Sequence, residues 1–188
     1  IHTGEGADEL FAGYTYYRDI DNSDDLHTEL RRSVCSLHNI NLQRVDRLTM
    51  AHSLEGRVPF LDTELIEVAQ TVPVELKLRT LPDGRKVEKW ILRKACEDLL
   101  PEEIIWRDKE QFDEGSGTAE LVESAYEHVM TPLEAESYSI RHKDALLRSC
   151  EECSYHKMLT EAYSGSEVVM NNVARWSHRE PKEPCDKR

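Results

Sequence analysis

The sequence has few aromatic residues and no long apolar run. Phe, Trp and Tyr make up 7% of the 188 residues, and no segment approaches the roughly 20 consecutive apolar residues that a membrane-spanning helix needs. The 39% hydrophobic and 32% charged residues are typical of a soluble globular domain that is long enough to bury a sizeable core. We therefore expect no membrane partner, and the five cysteines, an odd number without framework spacing, favour a cytoplasmic protein.

Acidic residues outnumber basic residues in the sequence. Lys and Arg number 24 against 37 Asp and Glu, so the formal net charge is −13. Such a charge opposes direct binding to nucleic acid or to an anionic membrane surface. A phosphate-bearing ligand would have to be met by a local basic group or through a divalent cation.

The start of the chain lacks an initiator Met and lacks the basic segment followed by an apolar segment that marks a secretory signal. Ile1 and His2 look like the end of a β-strand whose beginning is missing. We expect the 188 residues to be a piece of a longer protein.

The densest chemistry lies near the start, where Gly4 and Gly6 flank a glutamate and where Asp8 and Glu9 follow. The two glycines permit a tight turn with positive φ and close backbone approach. Carboxylates on such a loop suit a hard cation, so a nucleotide bound here would be held through Mg²⁺. The alternative is that Asp8 and Glu9 only place negative charge at the first turn of a helix beginning near Leu10.

Apolar residues recur at helical spacing along most of the chain, which predicts a mainly α structure. The predicted helices are marked by Leu26, Leu30, Val34 and Leu37; by Leu65, Val68 and Ala69; by Val87, Trp90, Ile91, Ala95 and Leu99; by Val122, Ala125, Tyr126 and Val129; and by the segment 145–162. Residues 22–25 and Asp62 are predicted helix starts, and Pro101 is expected to open a further helical turn. Residues 82–84 predict a turn.

Cys150 and Cys153 form a CxxC pair, and His156 follows three residues later. A zinc site is one interpretation, but a tetrahedral site still lacks an evident fourth ligand. On a helix the two thiols share one face, so we favour thiols packed in the core.

A stiff segment runs from Leu54 to Asp62, in which Pro59 biases Val58 towards extended geometry. We expect an ordered loop between helices. The favoured interpretation from the residues alone is structural, with Arg57 and a carboxylate locking the loop as a bidentate pair.

Lys109 lies in the segment Trp106–Phe112, shortly before the glycine hinge at residues 115–117. A lysine beside a mobile loop can meet a phosphate as a point charge. The alternative is an ordinary surface lysine surrounded by solvent.

The order of these segments makes the chain resemble glutamine-dependent asparagine synthetases. The resemblance is carried by Thr3–Tyr14, by Leu42–Arg47 leading to Glu55–Asp62, by Lys89–Arg93 and by Trp106–Phe112. The similar part is the later portion of the synthetase domain in that family.

This resemblance implies that residues 1–165 are a mainly helical fragment from the C-terminal part of an α/β ATP-pyrophosphatase domain of the PP-loop type. Residues 166–188 would be a solvated C-terminal extension. Enzymes of this family are ligases that bind ATP and Mg²⁺, transfer AMP to the side-chain carboxylate of aspartate, and let ammonia displace AMP to give asparagine. The ammonia comes from glutamine through a glutaminase domain, and a homodimer is a further expectation.

The resemblance also implies roles for individual residues. Asp8 would bind Mg²⁺, Glu5 would be a base near the reacting acyl carbon, and Lys109 would steady the pyrophosphate. Thr3 and Gly4, together with Glu5 and Lys109, would line the nucleotide and substrate site. Thr3 stands where the family usually has Ser, which keeps the hydroxyl group.

Other departures from the family pattern bear on activity. Gly56 replaces a bulkier residue, which affects how its loop packs. The chain contains no Ser-Gly-Gly-x-Asp-Ser phosphate loop, whose Asp would be the first Mg²⁺ ligand, and it has no N-terminal nucleophilic Cys for glutamine hydrolysis. We therefore expect this chain alone not to catalyse the full reaction.

Two alternative functions stay open. One is a related ATP-dependent amide-forming enzyme of the β-lactam synthetase kind, against which Glu5 argues because that chemistry needs no base suited to free ammonia. The other is a non-catalytic helical binding or regulatory module that has kept the scaffold.

Overall fold

The computed structural model of the chain describes residues 1–110 and 116–173. These residues divide into two units, Ile1–Lys109 and Glu110–Val173. Helices dominate both, so the predicted mainly α structure is confirmed. Among the described helices, none combines the length and the apolar character that crossing a membrane requires. Most of the predicted solvated extension and part of the glycine hinge, including residue 115, lie outside the described residues.

The first unit contains both short and long helices. The α-helices are α1 (Ala7–Leu10), α2 (Ser23–Ser36), α3 (Asn41–Met50), α4 (Thr63–Thr71), α5 (Val74–Lys77), α6 (Trp90–Ala95) and α7 (Glu102–Ile105). Single 3₁₀ turns connect some of them, at Thr15–Asp19, Leu37–Asn39 and Pro59–Leu61.

One short antiparallel hairpin lies between α5 and α6. Its strands are β1 (Arg79–Thr80) and β2 (Lys86–Val87), with Arg79 opposite Val87. The turn is closed by the backbone bond from Gly84 N–H to Leu81 C=O at 2.9 Å. The turn predicted at residues 82–84 is therefore confirmed.

Local capping residues set where the longer helices begin. The Asn22 side chain accepts hydrogen bonds from the N–H groups of Asp24 and Asp25 at 2.8 and 3.0 Å, and Asp62 accepts one from Glu64 at 2.9 Å. Both side chains satisfy backbone donors that the first helical turn leaves without partners. Both predicted helix starts are confirmed.

The helix predicted from Val87 to Leu99 is shorter than its apolar pattern suggested. Val87 belongs to β2, and Leu99 lies beyond α6 with 74% of its surface exposed. The physical reason is Lys89, which has φ 52 and ψ 32 and so stops the helix from extending towards the hairpin.

Two clusters of buried apolar side chains hold the first unit together. One contains Ala12, Tyr17, Leu26, Leu30, Val74 and Leu78, and the other contains Leu10, Phe11 and Ala69. Residues 10–12 contribute to both clusters. The end of α1 is therefore anchored from both sides, which fixes the acidic residues that precede it.

The described part of the second unit contains the helices α8 (Thr118–Val129), α9 (Pro132–Arg141), α10 (Cys150–Ala162) and α11 (Glu167–Asn171), with a 3₁₀ turn at Lys143–Ala145. Helix α10 begins at Cys150 and not at residue 145 as predicted, because Leu146 has φ 49 and because Ser149 caps the new helix through the Glu152 N–H. Cys153 is buried beside Met130 and Ala135, with Cys150 packed against them. The prediction of thiols packed in the core is confirmed for this pair.

Candidate functional site

The chain reaches the acid loop, which we define as residues 3–9, through a short parallel pairing. Arg57 N–H donates to Ile1 C=O at 2.7 Å, and Thr3 N–H donates to Arg57 C=O at 2.8 Å. These bonds form an isolated parallel bridge between His2 and Arg57. They fix the point from which the acid loop departs.

Arg57 does not lock its loop in the way that we expected. Its guanidinium lies 3.0 Å from Glu55, but both side chains are about two-thirds exposed, at 67% and 64%. Exposed pairs of this kind contribute under about 1 kcal/mol. The backbone bonds to Ile1 and Thr3 hold the loop instead.

Gly6 is the glycine that the acid loop requires. It has φ 94, and a Cβ atom at this position would lie 2.4 Å from Leu61 Cδ2. The Pro59–Leu61 turn can therefore pack directly against the loop. The expected positive φ and close approach are confirmed for Gly6 but wrong for Gly4, where a Cβ would meet no atom within 4 Å.

The Asp8 carboxylate meets two ammonium groups. Lys89 Nζ lies 2.9 Å from Asp8 Oδ1, and Lys109 Nζ lies 3.2 and 3.3 Å from Oδ1 and Oδ2. The Lys109 side chain is only 16% exposed. This geometry contradicts the interpretation of Lys109 as a solvated surface lysine.

The capping interpretation is right that Asp8 and Glu9 lie in the first turn of a helix, but it does not account for their side-chain contacts. Helix α1 begins at Ala7 and ends at Leu10, and its N-cap is Gly6 without a side-chain hydrogen bond. The carboxylate oxygens of Asp8 contact lysines, and those of Glu9 contact Tyr14 and Asn41.

Gly13 makes room for the Asp8 carboxylate. A Cβ atom at Gly13 would lie 1.9 Å from Asp8 Oδ1 and 2.8 Å from Asp8 Cα. The Gly13 N–H also donates to Asp8 C=O at 2.7 Å. The chain therefore folds back onto α1 so closely that only a hydrogen atom fits between Gly13 and the carboxylate.

One guanidinium group positions both lysines. Arg93 donates from Nε to Glu88 C=O at 2.9 Å, and from Nη1 to Ile105 C=O at 2.6 Å and Arg107 C=O at 2.8 Å. The first bond holds the residue before Lys89, and the others hold the segment that leads to Lys109. Burial lowers the pKa of Arg93, although the nearby Glu88 opposes this shift.

Lys89 is a residue that the sequence analysis missed as part of the site. It was noted only within a segment that carries the family resemblance, yet its backbone has positive φ and its N–H donates to Phe11 C=O at 3.1 Å. Positive φ is uncommon for a long side chain and marks places where the surrounding structure imposes the conformation. No local sequence signal distinguishes Lys89 from other lysines.

Glu5 and Thr3 lie at the start of the acid loop. Glu5 N–H donates to Thr3 Oγ1 at 3.4 Å, so the threonine hydroxyl supports the turn. The Glu5 side chain is 20% exposed, and Oε1 lies 3.5 Å from Arg44 Nη2 on helix α3. Gly4 between them is exposed.

Glu9 lies on the other side of α1 and is buried, with 1% of its surface exposed. Its Oε1 accepts a hydrogen bond from the Tyr14 hydroxyl at 2.5 Å and one from Asn41 Nδ2 at 3.1 Å. Burial raises the pKa of Glu9, and the bond from Tyr14 partly offsets this shift. Burial and the neighbouring Glu9 also raise the pKa of Tyr14.

The arrangement around Asp8 suits a metal-bound polyphosphate. Ammonium groups are phosphate partners, and a carboxylate oxygen is a ligand that Mg²⁺ prefers. Within residues 1–110 and 116–173 there is no group of three or more His, Cys, Asp or Glu side chains that could hold a metal ion. The described residues therefore fit Mg²⁺ only as a partial ligand set, in which Asp8 supplies one oxygen and the phosphates supply others.

Comparison with known proteins identifies the family of this chain. A family model described as asparagine synthase matches residues 18–177. Asparagine synthetase [glutamine-hydrolyzing] 1 of Lotus japonicus is 38% identical over 171 residues, which are 87% of this chain and 28% of the relative. A probable asparagine synthetase of Dictyostelium discoideum is 34% identical over 186 residues, covering 94% of this chain and 33% of the relative.

The chain therefore spans at most about a third of the length of these two relatives. The family match begins at Arg18, so it contains Lys89 and Lys109 but not the acid loop. Because the match extends over most of the described residues, this chain belongs to the asparagine synthase family.

Proposed function

We propose that the protein containing this chain makes asparagine from aspartate, ATP and glutamine-derived ammonia through a β-aspartyl-AMP intermediate. The observation that carries the proposal is the contact of Asp8 with Lys89 and Lys109 in a chain of this family. A carboxylate between two ammonium groups can exchange these ion pairs for Mg²⁺ and phosphate oxygens without leaving any charge unpaired.

In this proposal the first step is adenylation of aspartate. A β-carboxylate oxygen of aspartate attacks the α-phosphorus of ATP, and the bond to the β-phosphate oxygen breaks to release pyrophosphate. Lys109 and Lys89 stabilise the negative charge that grows on the leaving pyrophosphate, and Asp8 is a ligand of the Mg²⁺ that arrives with the nucleotide. The chain's own contribution is to hold these three groups within hydrogen-bonding distance.

The second step is attack by ammonia. The nitrogen forms a bond to the acyl carbon, AMP leaves with its phosphate oxygen, and the Glu5 carboxylate takes a proton from the nitrogen. Glu5 suits this role because it lies on the same short loop as Asp8 and remains partly accessible. Thr3 and Gly4 are proposed to lie along the substrate, since they flank Glu5.

We further propose that the described helices are the C-terminal part of a PP-loop ATP-pyrophosphatase domain. The described strands form only one two-stranded hairpin, so the parallel sheet, the phosphate loop and the first Mg²⁺ ligand would come from a segment that this sequence does not contain. The glutaminase activity would likewise come from a separate domain.

A chimera tests the function. In this chimera the 188 residues replace the matched segment of the Lotus japonicus relative, and the parent enzyme is the positive control. We expect aspartate-dependent exchange of label between pyrophosphate and ATP, followed by asparagine formation when ammonia is added. A folded chimera that exchanges label without a need for aspartate, or that shows no exchange at all, would contradict the proposal.

A further inference from the structure

Helix α3 is attached to the acid loop by buried polar groups. Asn41, its first residue, donates from Nδ2 to Glu9 Oε1 and contacts the Tyr14 hydroxyl, both at 3.1 Å. Glu9 and Asn41 are 1% and 8% exposed. The N-cap of α3 is the apolar Ile40, so no side chain caps this helix start. The Asn41 amide instead joins α3 to α1.

A second attachment lies one turn further along α3. Val45 Cγ1 would be only 2.8 Å from a Cβ atom at Gly56. The loop containing Gly56 pairs through Arg57 with Ile1 and Thr3, where the acid loop begins. Glycine at position 56 therefore allows α3 to lie close against the segment that positions the acid loop.

Arg44 lies between these two attachments. It shares a helix face with Asn41, three residues earlier, and it directly precedes Val45. Its Nη2 atom lies 3.5 Å from Glu5 Oε1, while its side chain is 60% exposed. The contacts of Asn41 and Val45 hold the backbone of Arg44 in place, so its guanidinium starts from a fixed position close to Glu5.

We propose that helix α3 orients the proposed base Glu5, and that Arg44 is the positioning residue which touches it. This inference rests on the proposed function of Glu5. Arg44 limits the directions in which the Glu5 carboxylate can point, so that one oxygen stays available to the attacking ammonia. The buried Glu9 and Asn41, together with the half-buried Tyr14, keep α3 in register with the acid loop.

The test uses the chimera with ammonia as nitrogen donor, and it separates two rates. Arg44→Ala should slow asparagine release about 10- to 100-fold, as expected for misplacement of a reacting group. Aspartate-dependent exchange between pyrophosphate and ATP should stay within about twofold, because Arg44 does not touch Asp8, Lys89 or Lys109. Thermal unfolding should be unchanged, because an exposed ion pair contributes little to stability.

Two further variants sharpen this result. Arg44→Lys should recover most of the rate, because the single contact at 3.5 Å needs a positive charge but no bidentate geometry. Arg85→Ala is the matched control, since it removes an exposed guanidinium that pairs with Asp83 in the hairpin turn. It should change neither rate. Equal losses in Arg44→Ala and Arg44→Lys would contradict a positioning role based on charge.

A double-mutant cycle with Glu5→Gln distinguishes failure of this inference from failure of the proposed function. If Arg44 acts through Glu5, adding Arg44→Ala to Glu5→Gln should cost no more than about twofold further. Multiplying effects would overturn the inference. If Glu5→Gln is slow but Arg44→Ala has the wild-type rate, only the positioning role of Arg44 is overturned. If Glu5→Gln itself has the wild-type rate, the proposed role of Glu5 as the base is overturned together with that of Arg44.

Discussion

Asp8 is the residue at the centre of the candidate site. Its backbone accepts a hydrogen bond from Gly13, and its carboxylate contacts Lys89 and Lys109. A residue that only capped α1 would need none of these neighbours. A single substitution of Asp8 can therefore distinguish a metal-binding role from a capping role.

Asp8→Asn should depress adenylation by a factor on the order of 100, as for other lost interactions at metal sites. Asn caps a helix about as well as Asp, so a capping role predicts normal adenylation with intact folding. The measurement is aspartate-dependent exchange between pyrophosphate and ATP in the chimera. Asp83→Asn, which alters an exposed carboxylate in the hairpin turn, is the control and should leave exchange unchanged.

Gly13 gives a prediction about stability. Gly13→Ala would bring a methyl group within 1.9 Å of Asp8 Oδ1, so the carboxylate or the backbone must move, at a cost of about 1–3 kcal/mol of unfolding free energy. Gly4→Ala is the matched control, because no atom lies within 4 Å of the added Cβ, and its cost should stay under about 0.5 kcal/mol. Urea denaturation of the 188-residue chain would measure both, and equal costs would refute the close approach.

The sequence was sufficient to propose Asp8 and Lys109 as site residues, but it could not show that the two side chains are in contact. These residues are 101 positions apart, so only the resemblance to a family connected them before the structure did. Lys89 was missed because its role depends on a backbone conformation that other residues impose. Gly13 was missed because the need for glycine arises from a carboxylate five residues earlier, which no local pattern reveals.

At the scale of elements, locally determined features were predicted well and features that depend on tertiary contacts were not. Asn22 and Asp62 cap their helices through backbone groups two or three residues away, so sequence alone sufficed. Helix α6 was predicted too long because apolar spacing continues across Lys89 while the backbone does not. The start of α6 is held by the bonds from Lys89 N–H to Phe11 C=O and from Arg93 Nε to Glu88 C=O, neither of which the apolar spacing reveals.

Helix α5 contains a group whose burial has a measurable cost. Lys77 is fully buried, and among the described residues its Nζ atom has no hydrogen-bond partner. Val74 and Leu78, on the same short segment, belong to an apolar cluster. Burial lowers the pKa of Lys77 from 10.5 to about 8, because the charged form loses its hydration.

Lys77→Met should therefore stabilise the chain at pH 7, by about 3 kcal/mol for this difference in pKa. The unfolded chain keeps its proton up to about pH 10.5 and the folded chain only to about pH 8, so the wild-type penalty is complete below pH 8 and disappears as the pH rises through this range. The stability gained by the substitution should shrink accordingly. Chemical denaturation at pH 7 and pH 10 would measure it.

Lys94→Met provides the control for this prediction. Lys94 is 45% exposed and pairs with Glu97 on the surface, so its replacement should change stability by under about 1 kcal/mol at either pH. A Lys77→Met chain that gains nothing at pH 7, or that gains equally at both pH values, would show that the Lys77 ammonium is solvated.

At the scale of the whole molecule, the site belongs to one of the two units. The side chains named above as contacts of the acid loop, such as Arg44, Lys89 and Lys109, belong to the first unit. The resemblance, which extends over residues 1–165, gave no indication of a boundary after Lys109. Sequence similarity follows the chain, whereas the division into units follows the density of contacts between distant residues.

The first unit holds the lysines and one proposed metal ligand, but the sequence contains no phosphate loop. We therefore expect the 188-residue chain by itself to bind MgATP with a dissociation constant weaker than about 1 mM, which corresponds to less than about 4 kcal/mol of binding free energy. The chimera, which regains the phosphate loop from its parent, should bind at least tenfold more tightly. Isothermal titration calorimetry would compare them, with Asp8→Asn in the chimera as a reference for a damaged site. Micromolar affinity in the 188-residue chain would mean that the lysine pair and Asp8 suffice, and that the phosphate loop is dispensable for binding.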